Sequence, residues 1–183
     1  MLLSSIVYYL ASASVILFYG IGISRTVSAR HDFSVAILSC IKALSIASAS
    51  SAISFLCVRW ILSPSHLFEL YPFVATFVFL FLTILIEIFL DVGIKKSPAE
   101  FSVTLLSVIL SLGESISVAH AVVIACTCVC SFYLFLLLFH AIRDRAAFYS
   151  DPTGIKVYPV LILSLAVVML AICGVNASYF SAL

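Results

Sequence analysis

The chain has no glutamine, a single asparagine (Asn176) and only 9% charged residues, nine basic and eight acidic among 183. A water-soluble domain of this size carries about 25% charged residues, so these few side chains cannot cover its surface, and soluble folds are excluded. The formal net charge of +1 leaves neither a basic field for nucleic acid nor an acidic tail for a basic partner. Also missing are a Ser-His-Asp set, a phosphate-cradling glycine loop and an HExxH motif, so nothing supports a hydrolase. Alternation of apolar and polar residues is absent too, which excludes a membrane β-barrel. An open sheet is excluded because its edges would leave unpaired N–H and C=O groups in lipid.

What the chain does have is 64% hydrophobic residues, arranged in runs long enough to cross a bilayer. A spanning helix needs about 20 apolar residues for roughly 30 Å of hydrocarbon. Six such runs are predicted, at residues 3–23, 33–62, 71–90, 101–118, 119–139 and 157–180, giving an all-helical membrane protein of one domain. The first, third and fifth connections hold Arg25, Arg30, Lys95, Lys96, Arg143, Arg145 and Lys156, whereas the second and fourth have at most Arg59. The positive-inside rule then predicts odd loops in the cytoplasm and both termini outside. No Lys or Arg precedes the first run, so despite the cleavage-like Ala11-Ser12-Ala13 it is expected to stay as a helix and not to act as a signal peptide.

A repeat links the two halves. Residues 15–24 read Val-Ile-Leu-Phe-Tyr-Gly-Ile-Gly-Ile-Ser and residues 108–117 read Val-Ile-Leu-Ser-Leu-Gly-Glu-Ser-Ile-Ser, identical at six of ten positions. The copies fall in spans one and four, so halves 1–90 and 101–183 would cross the membrane in opposite senses, as an inverted repeat. Gly20, Gly22 and Gly113 are then candidate helix breaks, whose freed backbone groups would mark a functional site. The alternative is that these glycines only permit close helix packing.

Charge inside the spans is the second signal. Glu114, with Ser115 beside the second candidate break, is either a proton carrier or cation ligand at depth, or an interfacial residue if the fourth span is short. Lys42 lies about 13 Å into span two and Glu87 about 6 Å from the end of span three, both from the cytoplasmic side, so they either pair or each snorkel to the interface. Ala43, Ala47, Ser50, Ser51 and Ser54 form a small-residue strip suited to tight packing. All six cysteines fall inside predicted spans, which argues against a disulfide framework. Cys126 and Cys130 share a helix face and are weak metal candidates; small buried side chains are the plainer reading. His120 and His140 are expected at the two interfaces.

The stretch Leu138-Phe139-His140-Ala141-Ile142-Arg143-Asp144-Arg145 resembles the L-F-x-x-I-R-E-[RK] motif of the RnfA/NqrE family, membrane subunits of Rnf and sodium-translocating NADH:quinone reductase complexes. Ile86-Glu87-Ile88, followed by Lys96-Ser97-Pro98, resembles that family's acidic helix end and K-x-S-P loop. The likeness is best from about Tyr71 onward. It implies two inverted three-helix units with the first and fourth helices broken, residence in the bacterial inner membrane, and a homologous partner subunit of opposite topology among other Rnf/Nqr-type subunits. It further implies a non-autonomous part in a redox-driven ion-translocating oxidoreductase. In the family each broken helix gives a cysteine to a 2Fe-2S cluster shared with the partner. Here those positions fall on Gly20-Ile21-Gly22-Ile23 and on Glu114-Ser115-Ile116, with no thiolate at either. The expectation is therefore a divergent member that keeps the scaffold without the cluster; the alternative is that nearby thiols such as Cys126 and Cys130 have taken on the role. A function of another class also fits: a small inverted-repeat transporter or channel with Glu114 as its coupling carboxylate.

Overall fold

The computed structural model describes residues 33–62, 64, 68–90, 98–149, 159, 162–164, 166–168 and 170–171. Among them there is no strand; the described residues are helical apart from short turns, and four helices carry their architecture. Helix α1 (Phe33–Cys57) continues into a π-helical turn at Val58–Leu62. A short 3-10 turn at Phe68–Leu70 leads into α2 (Tyr71–Leu90). Then come α3 (Pro98–Glu114) and α4 (Val118–Tyr149). The predicted spans two and three thus end at the residues expected of them. Among the described residues three stretches, Ile37–Leu62, Tyr71–Phe89 and Val118–Ile142, are long and apolar enough to cross a membrane.

Local chemistry sets the boundaries. Pro64, in the turn after the π-helical segment, cannot continue a helix. Pro72 and Pro98 stand in first turns, where the missing N–H costs nothing. The backbone N–H of His120 donates to Ser117 Oγ at 3.3 Å, and the N–H of Ala121 donates to the Ser117 carbonyl at 3.0 Å. Ser117 is therefore the N-cap of α4. The turn at residues 115–117 joins α3 and α4 into a helical hairpin. Helix α4 runs past the predicted end at Phe139, because Arg143, Asp144 and Arg145 end the apolar stretch without breaking the helix. At 17 residues, α3 is about 25 Å long, less than a full crossing.

Helix α1 is the centre of the bundle: it packs most extensively on α4 and also against α2 and α3, while α3 packs on α4 and α2. The interior is small and hydroxylated. The predicted strip Ala43, Ala47, Ser50, Ser51 and Ser54 is buried throughout, and so are Ala121, Ala125 and Cys128 of α4 and Thr104, Ser107 and Ser111 of α3. Several hydroxyls donate back into their own helix: Ser50 to the Ile46 carbonyl at 2.6 Å, Ser107 to Thr104 at 2.8 Å, Ser111 to Val108 at 2.8 Å. Self-satisfied in this way, they are buried at little cost and let the backbones approach. The perimeter is the reverse, with Phe73, Phe77, Phe81, Ile84 and Ile88 exposed along one side of α2. In lipid that arrangement is favourable, and close packing of small residues around buried Ile46, Phe79, Ile124 and Phe132 holds the helices together.

A paired substitution on α1 tests this arrangement. Ala47 is fully buried and Ser45 exposed two residues away. Ala47→Leu is expected to cost about 2 kcal/mol through overpacking. Ser45→Leu should leave the melting temperature of the detergent-purified protein unchanged.

Candidate functional site

The functional candidates gather at one end of the bundle, near the start of α1, the end of α2 and the start of α3. Lys42, on the second turn of the apolar stretch of α1, is buried; its Nζ lies 3.8 Å from Glu87 Oε1 on α2, with side-chain exposures of 8% and 50%. Pairing, the first of the two alternatives for these residues, is what the geometry contains. Snorkelling survives for Glu87 alone, which is half exposed. Beyond this ion pair, Lys42 Nζ makes no hydrogen bond, and neither does the buried Ser39 Oγ one turn earlier.

A carboxylate that the sequence did not single out completes the cluster. Glu100, in the first turn of α3, is 6% exposed. The Tyr133 hydroxyl of α4 donates to its Oε1 at 3.1 Å. Ser39, Lys42, Ala43 and Ile46 of α1 and Glu100, Phe101 and Thr104 of α3 line a partly open cavity of about 20 Å³, enough to admit water. Thr104 Oγ1 donates to the Glu100 and Phe101 carbonyls, both at 2.9 Å, which ties it to the wall. Four helices thus contribute the titratable side chains Lys42, Glu87, Glu100 and Tyr133, with Ser39 and Thr104 beside them. Tyr133 is nine residues before Ile142, where the apolar stretch of α4 ends, so the innermost part of the cluster is about 13 Å from that boundary.

The other predicted residues lie elsewhere. Helix α3 is unbroken to Glu114, and the interruption comes only at residues 115–117, the turn into α4. Gly113 is thus in the last turn of a helix and not at a break inside a span. A Cβ there would meet Tyr71 Oη at 3.3 Å, a tight approach by a side chain of α2. Glu114 is exposed at the helix end and Ser115 sits in the turn with its Oγ buried and without a hydrogen bond. Short α3 puts Glu114 at the end of the bundle opposite the charged cluster. Gly20 and Gly22 lie outside the described residues.

A 2Fe-2S cluster does not fit the donors present at the second family position, where Glu114, Ser115 and Ile116 offer no thiol. Cys126 is half-buried and Cys130 exposed, one turn apart on α4, with Cys128 buried between them. Among the described residues no group of three or more His, Cys, Asp or Glu side chains is placed to hold a metal ion. His120 stands in the first turn of α4 and His140 near the end of its apolar stretch, at opposite ends of that helix.

Comparison with models of protein families, with curated proteins and with solved structures gives no match for the chain.

Proposed function

We propose that the chain is a membrane subunit of an ion-translocating electron-transport complex of the Rnf/Nqr type, and that it contributes an ion path and the scaffold around it. The observation that carries this reading is the convergence of Lys42, Glu87, Glu100 and Tyr133 from four helices of an apolar bundle. Ionisable groups in such a setting are costly and are kept where they move or balance charge. The resemblance around residues 138–145 and 86–98 supplies the type of assembly. A homologous subunit of opposite topology is the expected partner, in a bacterial inner membrane with both termini outside.

The packing supports the six-span inverted repeat that this reading requires. Spans two and five, here α1 and α4, are equivalent in such a repeat, and a two-fold axis in the membrane plane would pass between them. They are the most extensively packed pair, and each buries a strip of small residues. In the electron-transport role this chain acts without a cluster of its own at Glu114 and Ser115.

Gentle purification of the full chain from its membrane tests the assignment. The expected result is co-purification with a second multi-pass subunit and redox-active partners; a chain that runs alone would sink it. A single-chain transporter is the reading that result would favour, and burial then makes Glu100, not the exposed Glu114, its coupling carboxylate.

A further inference from the structure

We infer that the pocket between α1 and α3 is a water-filled inlet, in which water completes the hydrogen bonding of Lys42 Nζ and Ser39 Oγ. This adds to the ion-path reading a route by which the aqueous phase reaches the charged cluster, and the geometry carries it whether or not an ion follows. Lys42 and Ser39 are each more than nine-tenths buried, and neither Nζ nor Oγ has a hydrogen-bond partner. The ion pair of the ammonium with Glu87 Oε1, at 3.8 Å, is too long to be a hydrogen bond. An ammonium has three N–H donors and a serine hydroxyl can both donate and accept. Left dry, these groups would forfeit bonds that they make in water, at a cost that is greatest for the charged one. Polar groups at membrane depth escape that cost when they line a water-filled cavity.

Both residues line just such a space. The pocket is partly open and about 20 Å³ in volume, more than one water molecule requires. Ser39 is two residues and Lys42 five residues past Ile37, where the apolar stretch of α1 begins, so they lie about 3 and 8 Å inside it. Glu100 is the third residue of α3. The inlet is therefore at the end of the bundle where α1 and α3 both start, within about two helical turns of the membrane boundary. A water there accepts from a Lys42 N–H and donates to Ser39 Oγ, which meets the minimum of two polar partners for a buried water. The oxygens of Glu100 and Thr104 belong to residues of the same lining and extend the polar wall along α3. Lys42 is then hydrated without leaving the bundle, and it keeps Glu87 as its ion-pair partner.

Solid-state NMR on the full chain in lipid bilayers, kept with any subunits that co-purify, tests the inference. The chain has four lysines; with nitrogen-labelled lysine, the Lys42 side-chain signal is the one missing from Lys42→Arg. Magnetisation started on water should reach that signal in the unsubstituted protein. Ala43→Leu, which adds bulk to the pocket lining, is expected to slow the transfer several-fold. Ser39→Ala, which keeps the space and removes one partner of the water, should slow it less, and it serves as the second variant if Ala43→Leu fails to fold. Ile41→Val, on an exposed position of α1, should leave the rate unchanged. No transfer to Lys42 in the unsubstituted protein would mean a dry pocket and would overturn the inference. Transfer that ignores both pocket variants, or that Ile41→Val slows equally, would overturn it as well, because the water would then arrive by another route. Water contact that follows the pocket variants, in a chain that moves no ion across proteoliposomes, would uphold the inlet and count against the ion-path reading alone.

Discussion

Lys42→Met is expected to destabilise the bundle by about 3 kcal/mol, the lower end of what breaking a buried ion pair costs. Met keeps most of the lysine stem, so the change isolates the charge from the packing. The loss leaves Glu87, formerly 3.8 Å away, without that cation and removes a positive charge from the cavity that Glu100 also lines. Glu87 is half exposed, which discounts the pair and places the estimate at the lower end. Glu87→Gln alone should cost under about 1 kcal/mol, because a partly exposed carboxylate is well solvated and Lys42 still faces Glu100. In the Lys42→Met background the same change should return about 1 kcal/mol, since it then removes a repulsion. Thermal unfolding of the four proteins in one detergent measures all of this. Equal stability of Lys42→Met and the unsubstituted protein would mean that the ammonium balances no buried charge.

How far this cluster was legible in the sequence depends on what each residue's neighbours reveal. Lys42 and Glu87 stand out because they interrupt long apolar runs, but whether they meet depends on α1 and α2 packing side by side, which no local pattern encodes. Glu100 is hidden from hydropathy, by which the fourth span starts at Phe101 and Glu100 falls in a charged loop. The signal was there: Ser97-Pro98-Ala99-Glu100 has the spacing of a helix N-terminal box with proline at the first helical position. Such a pattern places the helix start at Pro98, where it is, and moves Glu100 inside. Tyr133 carries no such mark among fifteen phenylalanines and eight tyrosines. Gly113 shows the opposite difficulty. A glycine in a span is compatible with a break or with close packing, and the approach of Tyr71 from another helix is not encoded by its sequence neighbours. The boundaries of α1 and α2 were readable because Pro64 and Pro98 and the charged 91–97 segment sit where the apolar runs stop. The end of α4 was not, because a charged segment ends hydropathy without ending a helix.

Phe79→Ala is expected to cost about 3 kcal/mol, whereas Phe77→Ala, two residues away on the same helix, should change stability by less than about 0.5 kcal/mol. Phe79 is fully buried and Phe77 71% exposed. Hydrophobic transfer contributes little to either change if the exposed face of α2 meets lipid, because hydrocarbon surrounds both rings before and after unpacking. The difference therefore measures packing itself. Phe79 makes an edge contact with Phe101 of α3, ring centroids 5.2 Å apart at 61°, worth about 0.5–1.5 kcal/mol beyond area. It also fills space that a bundle of small residues cannot close over, so the cavity term is retained in full. Phe101 borders the cavity shared by Lys42 and Glu100, and the loss should reach the site: α3 would lose the support that fixes its first turn. Reactivity of Cys40 toward a membrane-permeant thiol reagent reports this, since Cys40 is only partly exposed on α1 beside Glu100. Phe79→Ala should raise its rate several-fold, about the factor that 1 kcal/mol of local opening gives, and Phe77→Ala should leave it unchanged. If Phe77→Ala proved the more damaging, the outer face of α2 would have to be a protein interface and not a lipid-facing one.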